Sequence, residues 1–343
     1  MNSNDTNQDF VQMTEPEIKS HKKVFSRLSL SLLAFLGVVE ILVFIAVYII
    51  GKLAPSLLYS NNFSLILSSV LQYCIGFPIM YLIIRKMPRQ KPSAQKLGAI
   101  RILQYMLVGI LIMYIGNSVS QFLMTKVESF LGHEVENDVS SLLSGSNFIL
   151  SIIFVGIIGP IVEELMFRKL LIDRLTPYGN VIAIIFPSLL FGLFHGNLYQ
   201  FFYAFALGII FSYIYIKTGK ILYSTLLHTF INLFCGVLPA AIMSMLDMNA
   251  FNEALAQGTG AYYAFVAKNI LPFILMIIYE IAMFAMLIAG LVILIRNFKK
   301  IRLEKGSVRF PKGRSGEVIF FNAGTIAFIA VFLIIIAMET FAA

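Results

Sequence analysis

GPIVEELMFRKLL, residues Gly159 to Leu171, sets two adjacent carboxylates, Glu163 and Glu164, and an arginine, Arg168, inside one of the most apolar regions of the chain. Of the 343 residues, 59% are hydrophobic and 13% are charged. Mean hydropathy is +0.85, outside the usage of soluble globular domains. A bilayer core about 30 Å thick takes about 20 apolar residues per helix. Reading outward from Glu163, nine segments of that kind can be drawn: 28–50, 64–84, 102–123, 148–167, 180–195, 198–216, 221–246, 270–295 and 318–340. The fifth and sixth are short. The pattern predicts an all-α fold, a polytopic transmembrane helix bundle of about eight to nine helices. Its parts are a polar cytoplasmic tail (1–27), N-terminal transmembrane helices (28–123), a central segment carrying the buried acids (148–236) and C-terminal transmembrane helices (270–340), with no soluble domain outside the membrane. The first 26 residues lack a small-residue signal cleavage site, so the first segment is expected to stay as an anchor.

Lysine and arginine collect in cytoplasmic loops. With the N-terminus inside, 23 of the 26 fall on the inner side, leaving Lys52, Lys126 and Lys268 outside. The expected topology therefore has a cytoplasmic N-terminus and an extracytoplasmic C-terminus. The net charge of +8 is explained by a basic face beside anionic lipid and requires no nucleic acid. Cys74 and Cys235 lie in apolar segments and read as small core residues rather than a disulfide. The N-terminal tail and the basic loop 296–317 are the low-order candidates and read as solvated connectors, with weak lipid contact as the alternative.

A charge at the bilayer centre costs at least about 2.5–3.5 kcal/mol, which makes an intramembrane ionisable group a functional candidate. The candidates are Glu40, Glu163, Glu164, His195, His228 and Glu280. Glu164 and Arg168 are four residues apart in the favoured order for a helical ion pair. Glu163 lies about 100° round the helix and is left free for acid/base work. The same spacing joins Phe191 to His195 in FGLFH and His228 to Asn232 in HTFIN, placing each pair on one helix face. At 1.5 Å per residue, Glu163 sits roughly 18 Å, His195 roughly 22 Å and His228 with Asn232 roughly 10–17 Å from the cytoplasmic ends of their helices. The three motifs thus converge on one layer inside the membrane. The turn HGNLYQ would sit at the same depth, which requires burial or a watery cavity around it. Pro160 and Pro187 would loosen their helices near that level.

EELMFR, FGLFH and HTFIN resemble, in order, the EExxxR, FxxxH and HxxxN motifs of the CPBP group of intramembrane proteases, also called the Abi or CaaX protease family. The resemblance covers about residues 148–236 and includes LYQFFYAFALGIIFSYIYIKTG, with Gly208 and Gly219. Lys169 stands where the family often has glycine. The flanking helices match nothing nameable. The resemblance implies an intramembrane metalloprotease-type endopeptidase acting on a membrane-anchored or hydrophobic peptide or protein, by CaaX-type or bacteriocin-type processing. Glu163 would be the general base and His195 would help activate water. His228 and Asn232 would hold a metal or polarise the carbonyl and stabilise its oxyanion. The catalytic set so implied is Glu163, Glu164, Arg168, His195, His228 and Asn232. Zinc held by His195, His228 and Asn232, with or without Glu163, is one version; a metal-free glutamate/histidine base with an asparagine donor is the other.

A non-catalytic membrane protein acting in bacteriocin self-immunity or peptide binding is the alternative from another class. A transporter would more often show a repeat between its halves, and none is visible. HEVEN, His133 to Asn137, reads as solvated charge despite its likeness to a zinc-protease motif. Glu280 and Glu40 read as helix-packing hydrogen bonds, and the many Phe and Met residues as lipid-facing or core residues.

Overall fold

The computed structural model describes residues 13–341, apart from the side chains of residues 138–140 and 144. Eight helices are long and apolar enough to cross a membrane: α1 Glu15–Leu53, α2 Asn61–Ile84, α3 Ala99–Leu131, α4 Phe148–Tyr178, α6 Leu198–Thr218, α7 Ile221–Met243, α8 Ile270–Lys300 and α9 Ala323–Phe341. A shorter apolar helix, α5 Asn180–Phe194, lies between α4 and α6. All nine expected segments are therefore helical, and among the described residues no strand forms. The sixth segment is longer than its sequence suggested: α6 has 21 residues, roughly 31 Å, enough to span.

The motif-bearing helices sit in the middle. α6 packs against both α5 and α3, α3 against α8, and α1 against α2 and α9. Without a hydrophobic drive between helices in lipid, small residues that let backbones approach do much of this work. A Cβ on Gly116 would fall 2.6 Å from the Tyr203 backbone, on Gly208 3.0 Å from Ser188, on Gly290 2.3 Å from Leu107 and on Gly324 2.1 Å from Ser26. The main core is built from α1, α2, α4, α5 and α9, with Phe25, Phe167, Phe186, Phe191 and Phe328 fully buried.

Four expectations are corrected here. The polar tail is helical from Glu15, opened by a capping box between Thr14 and Glu17, and it buries Ile18 and Phe25; its residues 1–12 lie outside the described residues. The 296–317 loop is docked. Asn180 N–H donates to the Glu304 carbonyl at 3.0 Å and Val308 N–H to the Pro177 carbonyl at 2.9 Å, while Phe310 stacks on Tyr178 with ring centroids 5.6 Å apart. Gly179, at φ 93, and Gly306 touch backbone to backbone there, and no side chain would fit between them. Lys22 pairs with Glu317 at 2.7 Å, and Arg314 binds both Glu317 and Glu15. Apolar and aromatic side chains inside this nominally basic loop give it something to bury, so it is not a free connector. Cys74 is exposed on the outer surface of α2, whereas Cys235 is half-buried. Glu40 and Glu280 are exposed on α1 and α8, and neither makes a hydrogen bond or ion pair among the described residues, so they pin no helices. His133 and Glu134 of HEVEN are exposed, as expected.

Candidate active site

The site is made where helices stop being regular. α4 runs as a π-helical turn over Ile152–Ile158, a short α-helical piece over Gly159–Glu164, and a second π-helical turn over Leu165–Ile172. Further π-helical turns occupy Gln72–Gly76 in α2 and Asn232–Val237 in α7. Such widened turns often occur at functional sites. Three of the four are followed two residues later by a proline: Pro78, Pro160 and Pro239. Proline removes an N–H and its ring meets the carbonyl four residues back, and the widened turn relieves that contact while keeping the helix continuous. In α5 the helix around Pro187 remains regular.

The two glutamates have separate surroundings. Glu164 is 0% exposed and lies 3.2 Å from the Arg168 guanidinium, also 0% exposed. Its Oε1 also accepts from His228 Nδ1 at 3.2 Å. Arg168 lies over two rings, Phe191 at 4.8 Å and Phe211 at 5.4 Å. Among the described residues its guanidinium nitrogens make no hydrogen bond, so the charge rests on one carboxylate and two π-faces. Glu163 keeps 29% of its side chain exposed, and its Oε2 is 3.6 Å from His228 Nε2.

His228 therefore bridges the acids. With Nδ1 carrying the proton donated to Glu164, Nε2 turns a lone pair toward Glu163. Two acceptors that close call for a proton or a water hydrogen between them. Phe211 stacks on the imidazole at 4.7 Å and Phe191 meets it edge-on at 5.8 Å, which fixes the ring plane. His195 ends α5; its Nδ1 is 2.8 Å from the Phe191 carbonyl, leaving Nε2 available, and its ring shares the Phe191 face contact with His228. The chain then turns through Gly196, at φ 72, a left-handed conformation suited to glycine. Asn197 caps α6. Asn232 donates from Nδ2 to the Val155 carbonyl at 3.0 Å, a backbone group in the π-helical turn ahead of Glu163.

All six sequence-derived site residues thus come from α4, α5 and α7 as expected, and five of them form one polar cluster: Glu163, Glu164, Arg168, His195 and His228. Asn232 is joined to it through the backbone of α4. Phe191, identified only by its spacing to His195, touches His195, His228 and Arg168. Phe211 was missed; no signal separates it from the other aromatics of α6.

Two imidazole nitrogens and a carboxylate are donor types that zinc accepts. Among the described residues, however, no three His, Cys, Asp or Glu side chains gather in a metal-holding group, and His228 Nδ1 is already bound to Glu164. The arrangement does not fit a three-ligand metal centre.

Residues 145–234 match the family model for Type II CAAX prenyl endopeptidase Rce1-like proteins. Membrane-embedded CAAX protease MroQ of Staphylococcus aureus (strain USA300) is 28% identical over 173 residues, 48% of this chain and 67% of its own length. Putative membrane peptidase YdiL of Bacillus subtilis (strain 168) is 31% identical over 109 residues, 32% of this chain and 45% of its own length. No solved structure matches. The matched segment contains all three motifs, so this part of the chain is similar to CAAX-type membrane proteases.

Proposed function

We propose that this CPBP-type membrane protein is an intramembrane endopeptidase that hydrolyses peptide bonds of a membrane-associated or hydrophobic peptide, with Glu163 as the base that activates water. The observation that carries this reading is the asymmetry of the acids. Glu164 is sealed in and committed to Arg168 and His228 Nδ1, while Glu163 is the open carboxylate facing His228 Nε2. A base must reach its proton, directly or through water; Glu163 can, and Glu164 cannot.

Glu163 takes a proton from water as the water oxygen bonds to the scissile carbonyl carbon and the carbonyl π pair moves to oxygen. The C–N bond then breaks and the proton is returned to the leaving amine. His228, oriented through Glu164, sits beside that proton and relays it; His195 Nε2 opens on the same space. Arg168, buried 3.2 Å from Glu164, balances the charge of that orienting group and has no exposed surface to offer a substrate. Asn232 holds the widened turn of α4 through Val155. The N-terminus and basic loops face the cytoplasm, as the lysine and arginine distribution argues, and the C-terminus faces outward.

The test is a membrane proteome comparison of a deletion strain complemented with wild type or Glu163→Gln. Wild type should release a processed product absent from the Glu163→Gln strain at equal membrane abundance. Normal processing by the variant would refute the reading.

A further inference from the structure

α2, which belongs to no motif, brings one more polar group to Glu163. α2 and α4 run in the same direction and are tied at both ends. The Asn147 N–H donates to Asn62 Oδ1 at 2.6 Å, and Arg174 Nη2 donates to the Ile84 carbonyl at 2.6 Å. Eleven residues back from Arg174 lies Glu163, and eleven back from Ile84 lies Tyr73, so the two stand at one level. Gly159, one helical turn before Glu163 and on the same face, confirms the approach: a Cβ there would lie 3.1 Å from the Tyr73 hydroxyl oxygen. Glycine leaves that space to the phenol.

Tyr73 sits in the π-helical turn of α2, half-buried. Ser69, one turn earlier, is buried, so the polar tip of Tyr73 lies at the inner side of α2. Each motif side chain at this level already has one polar atom committed. His195 Nδ1 is tied to the Phe191 carbonyl, His228 Nδ1 to Glu164, and Asn232 Nδ2 gives an N–H to Val155. Peptide hydrolysis also requires a donor aimed at the oxygen on which negative charge develops.

We infer that Tyr73 is a further catalytic residue, whose hydroxyl donates a hydrogen bond to the oxyanion formed when water activated by Glu163 adds to the scissile carbonyl. This rests on the protease reading above. No bond to Tyr73 forms or breaks; the phenol keeps its proton throughout.

The test uses full-length protein in lipid nanodiscs and a quenched fluorescent peptide built on the sequence that the Glu163→Gln comparison identifies. Tyr73→Phe should lower kcat about 100-fold or more, with KM within about twofold and membrane yield unchanged. Placing 4-aminophenylalanine at position 73 keeps a donor in the same place and should restore kcat to within about tenfold of wild type. Wild-type kcat in Tyr73→Phe beside an inactive Glu163→Gln would overturn the assignment and leave the protease reading standing. A rise in KM alone, or loss of activity in the 4-aminophenylalanine protein as well as in Tyr73→Phe, would also overturn it. Cleavage by Glu163→Gln would instead remove the reading on which it rests.

Discussion

The buried pair of Glu164 and Arg168 should behave as a unit in a double-mutant cycle. Both side chains are 0% exposed and 3.2 Å apart. Glu164→Gln would leave Arg168 with only the faces of Phe191 and Phe211 to hold its charge. Arg168→Met would leave Glu164 with His228. Removing one partner of a buried pair costs about 3–5 kcal/mol, whereas replacing both by groups of similar volume is often nearly neutral. Each single change should therefore lower stability by about 3–5 kcal/mol, roughly two to four orders of magnitude in the folded-to-unfolded ratio. The combined change should fall within about 1 kcal/mol of wild type. The chain has no tryptophan, so thermal unfolding in detergent is best followed with a thiol-reactive dye. Exposed Cys74 would be replaced by alanine, leaving half-buried Cys235 to report on unfolding. Additive losses in the combined variant would refute the reasoning, because they would mean that the two side chains stabilise the bundle independently.

The docking of the 296–317 loop should be acid-sensitive. Hydrogen bonds from Arg314, then from Lys22, hold the Glu317 carboxyl down at about 2, below its ordinary 4.5. A depressed carboxylate stabilises the folded form above its unfolded value, and that contribution is lost as pH falls through the folded one. Hydrogen exchange of residues 301–310 should therefore accelerate as pH drops from about 4.5 toward 2, after correction for intrinsic rates, and Glu317→Gln should remove that step; an unchanged step would show that another group controls docking. Metal analysis of purified protein addresses the zinc version of the mechanism. From the geometry of this site the expectation is less than one bound zinc per chain and no change in His228→Ala; a full equivalent lost on that substitution would require His228 Nε2 to be a ligand.

Much of the site was legible one helix at a time. The i,i+4 spacings of Glu164 with Arg168 and of Phe191 with His195 are local, because a helix places such residues on one face whatever surrounds it. The three prolines after widened turns were also visible as residues, yet their meaning was not, since a proline in an apolar run equally predicts a kink or a break. Expectations failed where side chains chose partners far along the chain. The basic loop was read as solvated because charge dominates its composition, but Val308 and Phe310 bury against α1 and the end of α4. Cys74 was assigned to the core because its segment is apolar, although in lipid both faces of a spanning helix can be apolar and hydropathy no longer distinguishes inside from outside.

Hydropathy and helical spacing, which act over tens of residues, were enough by themselves to determine a membrane helix bundle and the order and approximate ends of its spans. Only the tertiary structure decided that His228 stands between the two glutamates, that Phe211 and Phe191 enclose Arg168, and that Tyr73 of α2 reaches the level of Glu163. Those contacts join residues up to about ninety positions apart, and they depend on helix register and rotation, which close packing at small residues fixes and hydropathy does not encode.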